Sequence, residues 1–529
     1  MPPWRTALAG LACVMIAGCM AAPEPTATHP TVPATAPSDV NAQDRGTLRQ
    51  GGVARMRLAA LPTEWNPLHP DAAADEIGDL TGPLSAPAFV TDAAGRAAPN
   101  PDLILDTAVV TETDTVARLT LNPDARWGDG EPVTADDWVA TWRAKTGQIA
   151  GIAPTDVAGW DRVSSVAAGD DATTVVVTYD GPDPAWPEPL LDGPLRAASV
   201  VDAEAFSWDV FDPANFAGPY TVAHVDPLQG VITLDPNPTW WGDDPLLDQV
   251  IFRTLPDEAA PVAFRNNELD LLAAGVSPDV AERLEGDPTA SLRRAPAPEG
   301  RLLTLDTSGL LADRDLRAAV LMAIDRRSVT DADDAGIGAS PEVWSDPLLL
   351  PNQPGYADQA RATGLTYAPD RAERTLEEAG WHRNADDLRV RNGEVLTLTF
   401  AVDGSLWSRR ELRSVTADLA AVGIRVREES GAADLTPTMR RASVFPLAHL
   451  PQVAWTDTEL TDYATRISDE MDPIRRADQA NQLSRLLWQR VDSVLLFQPS
   501  ELVAVRTGLA NVGSGGFAST VWEDVGWQA

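Results

Sequence analysis

The sequence predicts an α/β protein divided into two or three lobes, and three observations carry that expectation. With 529 residues the chain exceeds what a single hydrophobic core serves. Short β-branched runs such as Thr173–Tyr179 alternate with helical stripes such as Leu316, Ala319, Val320 and Ala323. A segment with five prolines, Gly181 to Pro194, reads as a loop and marks a lobe boundary. Composition bounds the function. The formal net charge of -37, from 41 Lys and Arg against 78 Asp and Glu, argues against nucleic acid or an anionic membrane surface as partner. Lys145 is the one lysine; its rarity reads as compositional bias, and the acidity as a solvated surface.

The first fifty residues carry targeting rather than fold. Arg5 precedes an apolar run, Ala7 to Ile16, too short to span a bilayer, and the run ends in Ile16, Ala17, Gly18 and Cys19. That ending resembles the lipobox of bacterial lipoproteins, which implies that residues 1–18 are removed as a signal peptide and Cys19 is acylated. Cleavage also discards Cys13, leaving no cysteine for a disulfide or a metal. Residues 19–50, rich in Pro, Ala and Thr, bury too little apolar surface to fold and are expected to tether the rest to a membrane. Folded sequence is expected from Gly51.

The most informative stretch is Leu121 to Ala144. Val116, Leu119 and Leu121 end a strand, Asn122 to Asp124 and Gly128 to Glu131 break it, and Thr134 with Asp137 three residues later forms a capping-box pattern. The following helix presents Trp138, Val139 and Trp142 on one side. Read by itself this is a strand, a turn and a capped helix. The order Trp127, Asp129, Gly130, Pro132, Val133, Thr134, Ala135, Asp136, Asp137 resembles the signature of the peptide and nickel class of bacterial extracellular solute-binding proteins, the receptors of ABC importers.

Further matches follow in chain order. The strand from Gly52 to Leu61 and the turn at Asn66, Pro67 and Leu68 look like that family's opening. Leu84, Phe89, an Asp92–Gly95 turn and Pro101–Leu103 match its opening helix, hairpin and step into the next strand, and Val163 to Val166 and Thr173 to Tyr179 read as strands packed on the capped helix. Gly218, Pro219 and Tyr220, then Asn237, Pro238, Trp240, Trp241 and Gly242, resemble its next strand and turn. In Phe264 to Leu272, Asn267 stands where glycine is usual and positive φ is needed, and the resemblance implies a strand crossing between lobes. Asp313, Arg317, Ala323, Ile324, Asp325 and Arg326 match a second signature helix. Arg371–Ala379, Leu412–Val422 and Met471–Val491 read as helices, the last with Ile474, Leu483 and Val491 inward.

The resemblance implies a two-lobed, periplasmic-binding-protein-like α/β fold of the class II, cluster C type, with three subdomains and a discontinuous first domain. The expected boundaries are 51–80 with 191–300 and 495–529 for the first lobe, 81–190 for its extra subdomain, and 301–494 for the second lobe. No nucleophile elbow, zinc-protease motif, P-loop or dinucleotide fingerprint is present, and five histidines are scattered, so neither an enzyme nor a cofactor is expected. Recognition is expected to use an aromatic wall and a few charges. The ligand-binding candidates are Trp65, Asn66, Trp407, Arg409, Trp455 and Asp457, with the three tryptophans placed in loops and Asp457 standing in for the amine-binding aspartate of peptide receptors. The implied function is a lipid-anchored monomer on the extracytoplasmic side of the cell membrane that captures short peptides and hands them to a permease and its ATPase. The alternative is a receptor or scaffold without transport, or one that takes a nickel chelate, haem or oligosaccharide.

Overall fold

The computed structural model describes residues 38–529 apart from 73–76, 274–275, 277, 334–340 and 451–457. The first lobe is organised on a four-stranded sheet in which Val53–Leu58 runs parallel to Gln249–Thr254, followed by Val231–Pro236 and Tyr220–Asp226 antiparallel. Val53–Leu58 alternates half-buried and buried positions, the pattern expected of a sheet with one face on a core. That core gathers Met56, Leu80, Tyr220, Phe252 and Val505.

A second four-stranded sheet, Ile104–Thr111, Thr115–Leu121, Thr174–Tyr179 and Val163–Ala168 in spatial order, packs on the helix Ala135–Lys145. On Thr115–Leu121 the buried face is Thr115, Ala117, Leu119 and Leu121, so Val116 lies on the other face, not with Leu119 and Leu121. The signature stretch is a packing device. The Asp137 carboxylate, 5% exposed, accepts from Thr134 N at 2.9 Å, Ala197 N at 2.8 Å and the Trp127 indole at 3.2 Å. One carboxylate thus ties the turn, the helix start and a distant loop together. Gly128 is needed because a Cβ there would stand 2.3 Å from Pro213 O.

The second lobe is built on a six-stranded sheet whose central strands are Glu299–Leu305 and Leu435–Arg441, with Ser493–Gln498 on the other side of Glu299–Leu305. Its second signature is also structural. The helix Arg314–Ala323 ends before Ile324, which is extended, and a new helix starts at Arg326, so the single stripe expected through Ile324 is two elements. Arg317 is buried and donates to Leu311 O at 2.7 Å, and to Arg490 O and Val491 O at 2.8 Å. It thereby satisfies the exposed carbonyls at the end of the helix Pro473–Arg490. Arg326 donates to Trp344 O at 2.7 Å and lies over the Trp488 ring. Ile474, expected inward, is 74% exposed in that helix's first turn.

Two adjacent strands cross between the lobes. Ala290–Pro296 and Ser500–Arg506 pair in the first lobe, and their continuations Glu299–Leu305 and Ser493–Gln498 pair in the second. Pro296, Pro298 and Pro499 sit at the step, where no ladder donor is needed, and Ala297 N bonds Pro499 O at 2.8 Å. The crossing expected at Leu271–Leu272 is not there: those residues pair with Ala504 and Val505 inside the first lobe. Asn267 does take positive φ, at 60°. Folded contacts also begin earlier than Gly51. Asp39 bridges Ser514, and Leu48–Arg49 pairs with Trp527–Gln528, since the tail offers a free sheet edge and Leu48 a side chain to bury on it.

Candidate functional site

A cavity of about 900 Å³ opens where the extra sheet meets the first lobe. The turn after the first strand supplies Pro67 and Leu68, the signature helix Thr141 and Lys145, and the tail Trp522 and Glu523. Aromatic surface comes from Trp127, Trp160, Trp208, Phe216 and Trp240. The charge is one-sided. Among the described residues, eight acidic ones line the wall, and Lys145 is its only cation.

These charges differ in what they meet. At one end Asp102 and Glu523 hydrogen bond to each other, and burial beside the other carboxylates pushes Glu523 up to about 7. Arg45 reaches Asp524 at 2.8 Å and Asp243 at 3.2 Å. At the other end the Lys145 ammonium, at the close of its helix, donates to Asp156 O, and burial pushes its pKa down. Asp192 is open to solvent yet crowded by surrounding protein, as a side chain lining a cavity must be; that crowding pushes its carboxyl up, and Lys145 opposes the shift.

Glu188 joins this wall to the second lobe. Its carboxylate meets His449 Nε2 at 2.7 Å and accepts from Ser443 Oγ at 3.4 Å. A second bridge lies nearby: Arg162 donates to Asp469 at 3.2 Å and to Asp183 at 3.2 Å. Asn352 Nδ2 adds a bond to Ala93 O at 3.3 Å. The lobes are therefore covalently joined by two crossing strands, and beyond these, polar side-chain bridges and the tail's Phe517, buried in the second-lobe core, hold them together.

Of the six ligand candidates, the three whose side chains are described, Trp65, Asn66 and Arg409, do not line the cavity. Trp65 is 4% exposed, with its ring edge on Phe211 at 5.1 Å, so it is a core residue and not a wall. Asn66 is fully buried: Nδ2 donates to Phe206 O at 2.7 Å and Oδ1 accepts from Leu68 N at 3.0 Å. Asn66 shapes the turn that carries Pro67 and Leu68 to the cavity. Trp407 belongs to the helix Leu406–Ala421 and not to a loop, because Ser405 caps that helix two residues earlier. Arg409 is exposed on the same helix. Trp455, Asp457 and Cys19 lie outside the described residues. Sequence reasoning missed Asp192 and Glu188 altogether, and it passed over Lys145 although a single lysine among 41 basic residues was a visible signal.

Comparison with known proteins agrees with this architecture. Residues 98–463 match the profile of the bacterial extracellular solute-binding proteins, family 5. Oligopeptide-binding protein OppA of Mycobacterium tuberculosis (strain ATCC 25618 / H37Rv) is 29% identical, over 97% of this chain and 92% of its own length. Among solved structures, the periplasmic EDTA-binding protein EppA superposes with a TM-score of 0.79 at 20% identity, covering 93% of this chain and 99% of its own. The oligopeptide-binding protein AppA of Bacillus subtilis, in complex with a nonapeptide, superposes with a TM-score of 0.68 at 17% identity, covering 91% and 100%. Those two likenesses establish a shared two-lobed fold. With its family profile matched over more than half its length, the chain belongs to the bacterial extracellular solute-binding proteins of family 5.

Proposed function

We propose that this chain is the membrane-anchored receptor of an ABC importer and that it captures short peptides by lobe closure. The observation that carries the reading is Glu188, which belongs both to the cavity wall and to the bridge with His449 of the second lobe. A ligand that favours the bridged arrangement shifts the population of lobe-closed molecules, and a permease that reads the closed lobes then receives loaded receptor. A cavity of about 900 Å³ suits a few residues of peptide. Peptide leads over other solutes because the oligopeptide-binding relative aligns with 97% of this chain. Anchoring through Cys19, and an amine-binding role for Asp457, belong to the same proposal. Receptors of this kind bind and release, so no reaction is assigned to the cavity.

A thermal-shift screen of residues 20–529 tests this reading, using defined peptides, nickel chelates, haem and oligosaccharides. A peptide at 100 times its dissociation constant adds about 2.7 kcal/mol of stability. Stabilisation by short peptides, lost in Asp457→Ala, is the expected result. Stabilisation by a chelate alone overturns the peptide assignment. No shift with any class favours a receptor or scaffold without transport.

A further inference from the structure

Between residues 511 and 525 the C-terminal tail leaves the first lobe and returns to it. Both ends of this excursion are tied down: Leu509 and Ala510 pair antiparallel with Trp527 and Gly526, and Asn511 Nδ2 donates to Asp524 O at 2.8 Å across the base. The outgoing leg is pinned as far as Ser514, whose Oγ donates to Glu501 at 2.9 Å and whose backbone bridges Asp39. Gly515 and Gly516 then turn the chain outward, Gly516 at a φ of 62°. At the tip, Phe517 is 7% exposed and belongs to the second-lobe core with Leu302, Trp344 and Leu495.

The return leg, residues 519–524, lines the cavity. The hairpin of Phe89–Thr91 with Ala97–Pro99 holds tip and return leg together. Thr91 Oγ1 donates to Phe517 O, Thr91 N donates to Ser519 Oγ at 3.0 Å, and Thr91 O accepts from Ser519 N at 3.0 Å. Its neighbour Val90 lines the same cavity. The hairpin turn also meets the second lobe: a Cβ on Gly95 would stand 3.5 Å from the Phe517 ring, and Asn352 Nδ2 donates to Ala93 O. Asn352 Oδ1 accepts in turn from Gln498 Nε2 at 2.9 Å, and Gln498 also donates to Ala297 O at the step between lobes. A phenylalanine buries roughly 150–250 Å². Withdrawing one costs more than parting a half-exposed side-chain bridge, so the second lobe cannot swing away without emptying that seat or pulling the wall with it.

We infer that residues 511–525 form a coupling loop: Phe517 seated in the second lobe holds the return leg on the hairpin and the cavity wall in its binding shape, and lobe opening releases both. The inference rests on the lobe-closure part of the proposed function and names the element that ties closure to the wall. Phe517 is a positioning residue here, since it acts on the cavity through residues 519–524.

Hydrogen exchange read by mass spectrometry, together with solution scattering, on the purified chain tests the coupling. In Phe517→Ala the amides of residues 518–525 should exchange about tenfold or more faster, and the radius of gyration of the unliganded chain should rise. Phe517→Leu, which refills most of the seat, should restore both. A rise in one readout without the other, or in neither, overturns the coupling, because a residue that merely fills a core would not move the two together. Where Phe517→Ala folds poorly, Asp469→Ala decides: it cuts the bridge to Arg162, in which no tail residue takes part, and by reciprocity should also speed exchange over residues 518–525. Unchanged exchange in that variant overturns the coupling. None of these readouts uses a peptide, so failure here leaves peptide capture standing, and failure of every peptide in the thermal-shift screen leaves the coupling standing.

Discussion

The second lobe and the first-lobe cavity treat buried charge in opposite ways. In the second lobe Arg301 and Glu411 are 6% and 0% exposed and meet in two parallel bonds of 2.5 and 2.6 Å, while Arg317 and Arg326 are spent on backbone carbonyls. Every one of those charges is closed by the chain itself. In the cavity the wall instead sets like charges side by side: Asp102 and Glu523 share a hydrogen bond close to Asp243 and Asp524, and Glu523 is pushed up to about 7. Pairs of opposite charge fix one arrangement, whereas crowded carboxylates hold a proton whose loss changes the wall, so the sign of a buried charge's neighbour separates scaffold from cavity within a single chain.

The largest effect is expected where closure is complete. Arg301→Met strands the Glu411 carboxylate, which burial already pushes up, and should cost about 3–5 kcal/mol in denaturant unfolding; adding Glu411→Leu should recover most of it. Asp137→Ala removes the acceptor of three N–H groups and should cost about 2–3 kcal/mol without touching the cavity charges.

The Asp102–Glu523 pair sharpens the comparison through pH. Folded Glu523 holds its proton up to about 7, against an ordinary value of 4.5. The folded state therefore binds more protons between those values, and this contribution is complete below about 4.5 and lost as pH rises through 7. Melting followed from pH 5 to 8 should show stability falling by on the order of 2 kcal/mol, with the slope flattened in Glu523→Gln. The smallest effect belongs to the lobe bridge. Asp469 is 41% exposed and its loss leaves Arg162 on Asp183, so Asp469→Ala should cost under about 1 kcal/mol yet enlarge the radius of gyration of the unliganded chain in solution scattering.

What the sequence made legible were constraints that act locally. Trp127, Thr134 and Asp137 can be read together because they bond to one another within eleven residues, and Asn267 because its backbone needs positive φ. The fold followed from such stretches. The cavity did not, since Lys145 and Asp192 lie on different elements and meet only through tertiary packing. Trp65 and Asn66 were misplaced for a related reason: an aromatic and an amide after a strand look the same in sequence whether they face a ligand or hold the turn that does. The lobe crossing was sought in an apolar strand, whereas proline at two adjacent strand breaks, Pro296 to Pro298 and Pro499, was its mark.

The most direct test of the account is a crystal structure of the chain with trialanine. The account predicts closed lobes with the Glu188–His449 contact intact and the peptide in the cavity whose wall Glu188 shares. Peptide bound outside this cavity, or bound with the Glu188–His449 contact broken, would contradict it.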